Sequence, residues 1–197
     1  LRNVETFLDG VLARRLMPEG VPVGKAVLYL HGGGYVLGSP ATHFGMAGRL
    51  ALAAGCEVFV IDYRLAPEHP APAALEDAVS AWSALCRTHT AIALAGDSAG
   101  GGLCVALAVA ARDAGLPAPK GLALISPWVD LSLSGESMKP GAVDDPLLSR
   151  AWLAWAAAKY AGSCALDDPR LSPLSASLAG LPPTRIHTGS DEVLLSD

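Results

Sequence analysis

The chain is short of charge, of aromatic side chains, of cysteine and of long apolar runs, and each shortage excludes something. Only 17% of its 197 residues are charged, the formal net charge is −5, and no run of Lys or Arg occurs. That leaves no electrostatic footprint for a phosphate backbone or an anionic bilayer. The expected partner is a small molecule, with no nucleic acid and no membrane insertion. Aromatics make up 6% of the residues, and those that cluster, Trp152, Trp155 and Tyr160, read as core or pocket wall rather than a stacking platform. The four cysteines, Cys56, Cys86, Cys104 and Cys164, lie far apart with no C-x-x-C pair, which favours reduced core thiols over disulfides or zinc. The most apolar stretch, Ala99 to Ala111, falls short of the ~20 residues that span a bilayer. No basic-then-apolar signal opens the chain, and a cytoplasmic location is expected. Hydrophobic residues are plentiful, at 51%, too apolar for disorder and enough for a sizeable core. Without repeats or low-complexity linkers, residues 1–197 read as one domain.

The stretch Ala91 to Gly102 organises the rest. A short apolar run enters Gly96-Asp97-Ser98-Ala99-Gly100 and leaves as a long Ala/Leu/Val segment, so it reads strand, sharp turn, helix. Glycine at 96 and 100 permits the turn and close packing, holding Ser98 at the tip with its hydroxyl exposed. The helix aims its first free N–H groups and the positive end of its dipole over that serine.

In chain order, Asp9-Gly10 between two apolar-polar runs predicts an antiparallel hairpin over residues 4–16. Lys25–Leu30 is a buried strand that runs into His31-Gly32-Gly33-Gly34, whose exposed backbone N–H groups suit an anion. A helix is expected over Thr42–Ala54, stopped by Gly55, then a strand over Glu57–Asp62 and a proline-held loop. Leu75, Val79, Trp82 and Cys86 mark a second helix, and Gly121–Ser126 a strand after the Ser98 helix. Asp144 or Asp145 before Pro146 predicts a helix start that carries Leu148, Trp152, Trp155 and Tyr160 on one element. Thr184–Thr188 is a short strand that turns off through Gly189-Ser190-Asp191. This alternation implies an α/β fold, a mostly parallel sheet flanked on both faces by helices.

His31-Gly-Gly-Gly, Asp62-Tyr-Arg-Leu-Ala-Pro-Glu-His-Pro, Gly96-Asp-Ser-Ala-Gly-Gly and Ser126-Pro-Trp occur in that order across nearly the whole chain. The ordered set resembles the hormone-sensitive-lipase family of α/β-hydrolases. The resemblance implies that Ser98 attacks an ester carbonyl, with the oxyanion held by backbone N–H groups of Gly32, Gly33, Gly34 and Ala99, and with His31 belonging to the oxyanion-loop motif. The family acid matches Asp191, in the pattern Asp191-Glu192-Val193-Leu194. Asp62 and Asp130 read instead as parts of loop-fixing networks with Arg64 and Glu68 as ion-pair partners, and Asp97 as a brace that points away from the nucleophile. A side chain at Gly33 or Gly34 is expected to cut turnover more than stability. The implied substrate is a small ester, and no metal or organic cofactor is implied.

In such hydrolases the triad runs Ser, acid, His, and none of the five histidines follows Asp191. His31, His43, His69 and His89 have structural readings, and His187, within a strand, is expected to point into or under the sheet. The chain therefore looks trimmed at both ends, without the N-terminal cap and the last strand. It is expected to be nearly inactive by itself and to pair with a second copy through an exposed sheet edge. Two readings stay open: an esterase, or a catalytically inert hydrolase-fold remnant that binds a ligand. Within the enzyme class, amide deacetylase and formamidase use the same parts as a short-chain carboxylesterase.

Overall fold

Asp9 and Gly10 both take positive φ, 47° and 87°, the conformation a two-residue hairpin turn needs. They join β1 (Arg2–Leu8) to β2 (Val11–Met17) with the expected antiparallel pairing. The computed structural model describes all of residues 1–197. The remaining strands are β3 (Lys25–Leu30), β4 (Glu57–Ile61), β5 (Ala91–Asp97), β6 (Leu122–Ile125) and β7 (Thr184–His187). They form one seven-stranded sheet in the order β1-β2-β4-β3-β5-β6-β7, parallel from β4 to β7. The helices are α1 (Phe44–Ala54), α2 (Ala73–Cys86), α3 (Ala99–Asp113) and α4 (Arg150–Ala161).

Strand alternation divides the core in two. Leu28, Leu30, Phe59, Ile61 and Leu94 face a large cluster with α2, α3 and α4, while Val27, Tyr29, Val58, Val60 and Ala95 face a smaller one under α1. The expectation that both faces are covered holds only in part. In β6, Leu122 and Leu124 are buried while Ala123 and Ile125 are exposed, and all of β7 is exposed. Its His187 is exposed as well, so it does not sit under the sheet as expected, because no element packs over this edge strand.

Helix α1 ends as its sequence requires, with Gly55 left-handed at φ 58° and its N–H donating to Ala51 O. Helix α4 does not begin at Asp145-Pro146. Asp145 Oδ1 accepts the N–H groups of Leu147 and Leu148, both at 2.8 Å, and so holds a loop, while Ser149 caps the helix by accepting Trp152 N–H at 3.2 Å. The competition between an Asx turn and a helix start is local, and the serine four residues after Asp145 wins it. Of the aromatics on α4, Tyr160 is core, stacked on Tyr35 at 3.8 Å, and Trp152 is partly buried; Trp155 is half exposed.

Parallel pairing sets Leu30 beside Gly96, so the carboxyl ends of β3 and β5 are level and the two loops leaving them are neighbours. Crevices outside the carboxyl ends of parallel strands are where such sheets take ligands. A Cβ on Gly100 would collide with the backbone carbonyls of Leu30 and His31, whereas one on Gly45 in α1 would meet nothing within 4 Å. Gly100→Ala is therefore expected to lose about 3 kcal/mol or more of stability, and Gly45→Ala to be neutral or to gain up to about 1 kcal/mol. Urea unfolding midpoints of the two variants measure both.

Candidate active site

Ser98 sits at φ 50°, ψ −123°, between the last residue of β5 and the first of α3. Positive φ at a residue that is not glycine costs of order 1–3 kcal/mol and persists only where neighbours hold it. Here they do: Ser98 N–H donates to Ile125 O at 2.9 Å, and Ser98 O accepts from Gly102 N–H at 3.1 Å and Trp128 N–H at 2.9 Å. The strained turn lifts the side chain off the sheet into a cavity of about 630 Å³. The N–H of Ala99, the first residue of α3, has no partner inside the helix. The expected elbow is present.

The loop after β3 lines the same cavity through Gly32, Gly33, Gly34 and Gly38. Gly33 (φ 127°) and Gly34 (φ 62°) take conformations that favour glycine. Gly33 O accepts Val36 N–H at 3.1 Å and Leu37 N–H at 2.9 Å, closing the turn, and neither the Gly33 nor the Gly34 N–H donates to a protein acceptor. Gly32 differs from the expectation that grouped it with them. Its N–H donates to Asp97 Oδ1 at 3.0 Å, so it is a strut of the loop and not a free oxyanion donor. A side chain at Gly33 would strike the Leu37 carbonyl, and one at Gly34 the Trp152 ring. Substitution at either is therefore expected to carry a stability cost besides the expected loss of turnover.

Asp97 is the brace expected of it, and its reach is longer than its position suggests. Oδ1 also accepts Tyr29 OH at 2.7 Å, and Oδ2 faces His43 Nε2 at 3.3 Å. Burial works to raise this carboxyl, but hydrogen bonds from His43 and Tyr29 outweigh it and hold it below the usual carboxylate range. His43, read from sequence as part of the first helix, caps α1 and lines the cavity. Nothing local in the sequence signals this, because the contact joins residues 54 positions apart.

His31 is buried beneath the loop. Its Nδ1 bonds Gly32 O at 2.9 Å, which makes Nδ1 the protonated nitrogen, and its ring stacks on Tyr63 at 4.2 Å. Tyr63 OH in turn donates to His31 O at 2.7 Å. Nε2 is buried without a partner, and burial lowers the imidazole to about 4.

Asp191 lies exposed on the turn after β7, its carboxylate meeting Ser190 Oγ at 3.2 Å. The adjacent Glu192, which the sequence did not single out, reaches the cavity wall and accepts Gly189 N–H at 2.8 Å. Asp145 ties this segment to the loop before α4 by accepting Val193 N–H at 3.0 Å. Asp130 does fix a loop, through the hydroxyl and N–H groups of Ser132 and Ser134. Its expected ion-pair partners are elsewhere: Arg64 pairs with Asp77 and Glu76 because α2 runs past it, and neither Asp62 nor Glu68 makes an ion pair. No histidine hydrogen-bonds Ser98. His89 is held by Glu57 at 3.0 Å, and His43 is turned to Asp97. No group of metal-ligating side chains forms and all four cysteines are free.

Comparison with known proteins gives a consistent picture. A family model described as the alpha/beta hydrolase fold matches residues 27–197. An acetyl-hydrolase of Streptomyces hygroscopicus is 45% identical over 177 residues, covering 88% of the chain and 59% of that protein. Carboxylesterase NlhH of Mycobacterium tuberculosis is 38% identical over 195 residues, covering 91% and 59%. Among solved structures, an esterase of the bacterial hormone-sensitive lipase family superposes with TM-score 0.95 at 44% identity, and a hormone-sensitive lipase from a metagenome library with 0.94 at 42%. The chain spans 59% of the length of those two curated relatives, and 66% and 68% of the two solved chains.

Because His31 resists protonation in the folded state while an unfolded histidine titrates near 6.5, the unfolded chain binds more protons between about pH 6.5 and 4 and stability falls across that window. The contribution lost by pH 4.5 is about 2–3 kcal/mol. Urea unfolding of the protein and of His31→Asn at pH 7 and 4.5 should show a pH loss smaller by that amount in the variant; equal losses would refute a neutral buried His31.

Proposed function

The chain belongs to the hormone-sensitive-lipase branch of the alpha/beta-hydrolase fold family, and from that premise we propose that it forms the nucleophile half of a serine hydrolase that cleaves short-chain carboxylic esters. The observation that carries this reading is Ser98 at φ 50°, facing one cavity with Gly33 and Gly34. Ser98 Oγ attacks the ester carbonyl carbon and gives up its proton to a general base. The carbonyl oxygen, now an anion, is received by the N–H groups of Gly33, Gly34 and Ala99, and the alkoxide leaves with the proton that the base took. Water then releases the acyl group by the same route reversed. Asp191 is the acid that orients the base in this reading. The reading requires a general base at Ser98 Oγ; His43, His89 and the buried His31 are committed elsewhere, and neither His69 nor His187 hydrogen-bonds Ser98.

The Trp152 ring against Gly34 closes one side of the cavity and supports a preference for short acyl groups, as does the acetyl-hydrolase name of one relative. Relatives bearing hydrolase names weigh against an inert remnant. A reducing compartment, the cytoplasm, is supported by four unpaired thiols, and no helix is long and apolar enough to cross a membrane. The uncovered edge of β7, with Ile186 57% exposed, is the surface proposed for pairing of two copies.

In the intact protein an organophosphonate should form a single adduct, at Ser98, located by mass spectrometry. Ser98→Ala should lower kcat by about 10⁶ and Asp191→Asn by about 10⁴. A label on another residue would remove the nucleophile assignment; an unaffected Asp191→Asn beside an impaired Glu192→Gln would move the acid by one residue.

A further inference from the structure

The oxyanion donors sit on a loop that is glycine at three successive positions, and backbone of that kind must be held by something else. One strut is visible: the Gly32 N–H on Asp97 Oδ1, at 3.0 Å. Asp97 is itself the residue before Ser98, so this single carboxylate joins the loop to the elbow. Its other oxygen, Oδ2, faces only one polar group outside the loop, His43 Nε2 at 3.3 Å.

The protonation of His43 follows from counting hydrogens on its neighbours. Thr42 Oγ1 donates its single hydrogen to Ser39 O at 2.9 Å and accepts Ser39 N–H at 3.0 Å. With the hydroxyl hydrogen in that bond, Oγ1 presents a lone pair to His43 Nδ1, 2.9 Å away, and Nδ1 is the donor in this arrangement. Nε2 faces a carboxylate, which only accepts, so Nε2 must donate too. The other titratable groups around the ring carry no competing charge. His31, centroid 5.4 Å away, is kept neutral by burial, and Tyr29, 6.2 Å away, is pushed far up by burial and by Asp97. Across the cavity stand Asp145 and Glu192, which favour a cation. The hydrogen bond to Asp97 raises His43 against its own burial.

We propose that His43 is a positioning residue: as an imidazolium held between Thr42 and Asp97, it fixes the Asp97 carboxylate and through it the Gly32 strut that sets the oxyanion donors over Ser98. The proposal rests on the hydrolase reading above. It accounts for a histidine that lines the cavity yet is unsuited to be the base, since neither of its nitrogens has a free lone pair. Loss of the imidazolium frees Asp97 Oδ2, lets the carboxylate rotate, and releases the loop by a fraction of an ångström, a displacement to which oxyanion stabilisation is sensitive.

Two measurements on the intact protein test this. Nitrogen-15 spectra of the histidine rings at pH 7, with His43 assigned by comparison with His43→Ala, should show both His43 nitrogens protonated. For His43→Ala, kcat on a short-chain nitrophenyl ester should fall about tenfold or more with KM changed less than about twofold, and His43→Gln, which still donates to Asp97, should recover part of the loss. A neutral imidazole, or a His43→Ala kcat within about twofold of the parent, overturns the proposal. If His43→Ala fails to fold, the ring spectrum of the parent and the kcat of His43→Gln decide. Failure of the hydrolase reading is separate and visible as a parent protein whose Ser98 takes no phosphonate label.

Discussion

Helix α3 can begin where it does only because Gly100 has no side chain. Its backbone lies against the carbonyls of Leu30 and His31, and Gly96 lies against Gly100 O at what would be 2.6 Å from a Cβ. That contact between the end of β3, the end of β5 and the first turn of α3 places the elbow and the glycine loop. It forces Ser98 into its strained turn at the start of α3 and brings the glycine loop alongside. Methyl groups at either glycine would separate the elbow from the loop, and no local rearrangement could restore their spacing, since the obstructing atoms are backbone.

Close approach sets distance; Asp97 sets orientation. A carboxylate with little access to water is stabilised only if it is well bonded, and a bond to a charged group is worth about 1.5–3 kcal/mol. Asp97 takes such bonds from Gly32, Tyr29 and His43, each from a different segment of the chain. The ionised form is therefore favoured because those segments are in place, and the segments are held because the group is ionised. Under the loop, stacked His31 and Tyr63, and beyond them Tyr35 on Tyr160, carry the packing out to α4.

The cavity is asymmetric. One side, the elbow and the glycine loop, is anchored on central strands. The other side is formed by the segment from Asp145 to Trp152 and by Glu192 and Leu194, which are joined through Asp145 to Val193 N–H and rest on a sheet edge whose outer face is bare. On the hydrolase reading, the half that would bind the developing charge is anchored on central strands, while the half that would shape the substrate rests on the sheet edge.

The residue pattern by itself determined the elbow with Ser98 at its tip, the glycine loop, the hairpin at Asp9-Gly10 and the alternation of strand and helix, because each depends on a few neighbouring residues and on backbone conformations that glycine and apolar periodicity announce. It also suggested Asp97 as a brace, from its place in the turn. It could not show that Gly32 is a strut rather than a donor, that His43 belongs to the site, or that Glu192 stands on the cavity wall beside an exposed Asp191. Those outcomes depend on which residues a parallel sheet sets level with one another: β3 and β5 are separated in sequence by a helix, a strand and a second helix, and only their register, Leu30 against Gly96, brings Gly32, His43 and Asp97 within hydrogen-bond distance.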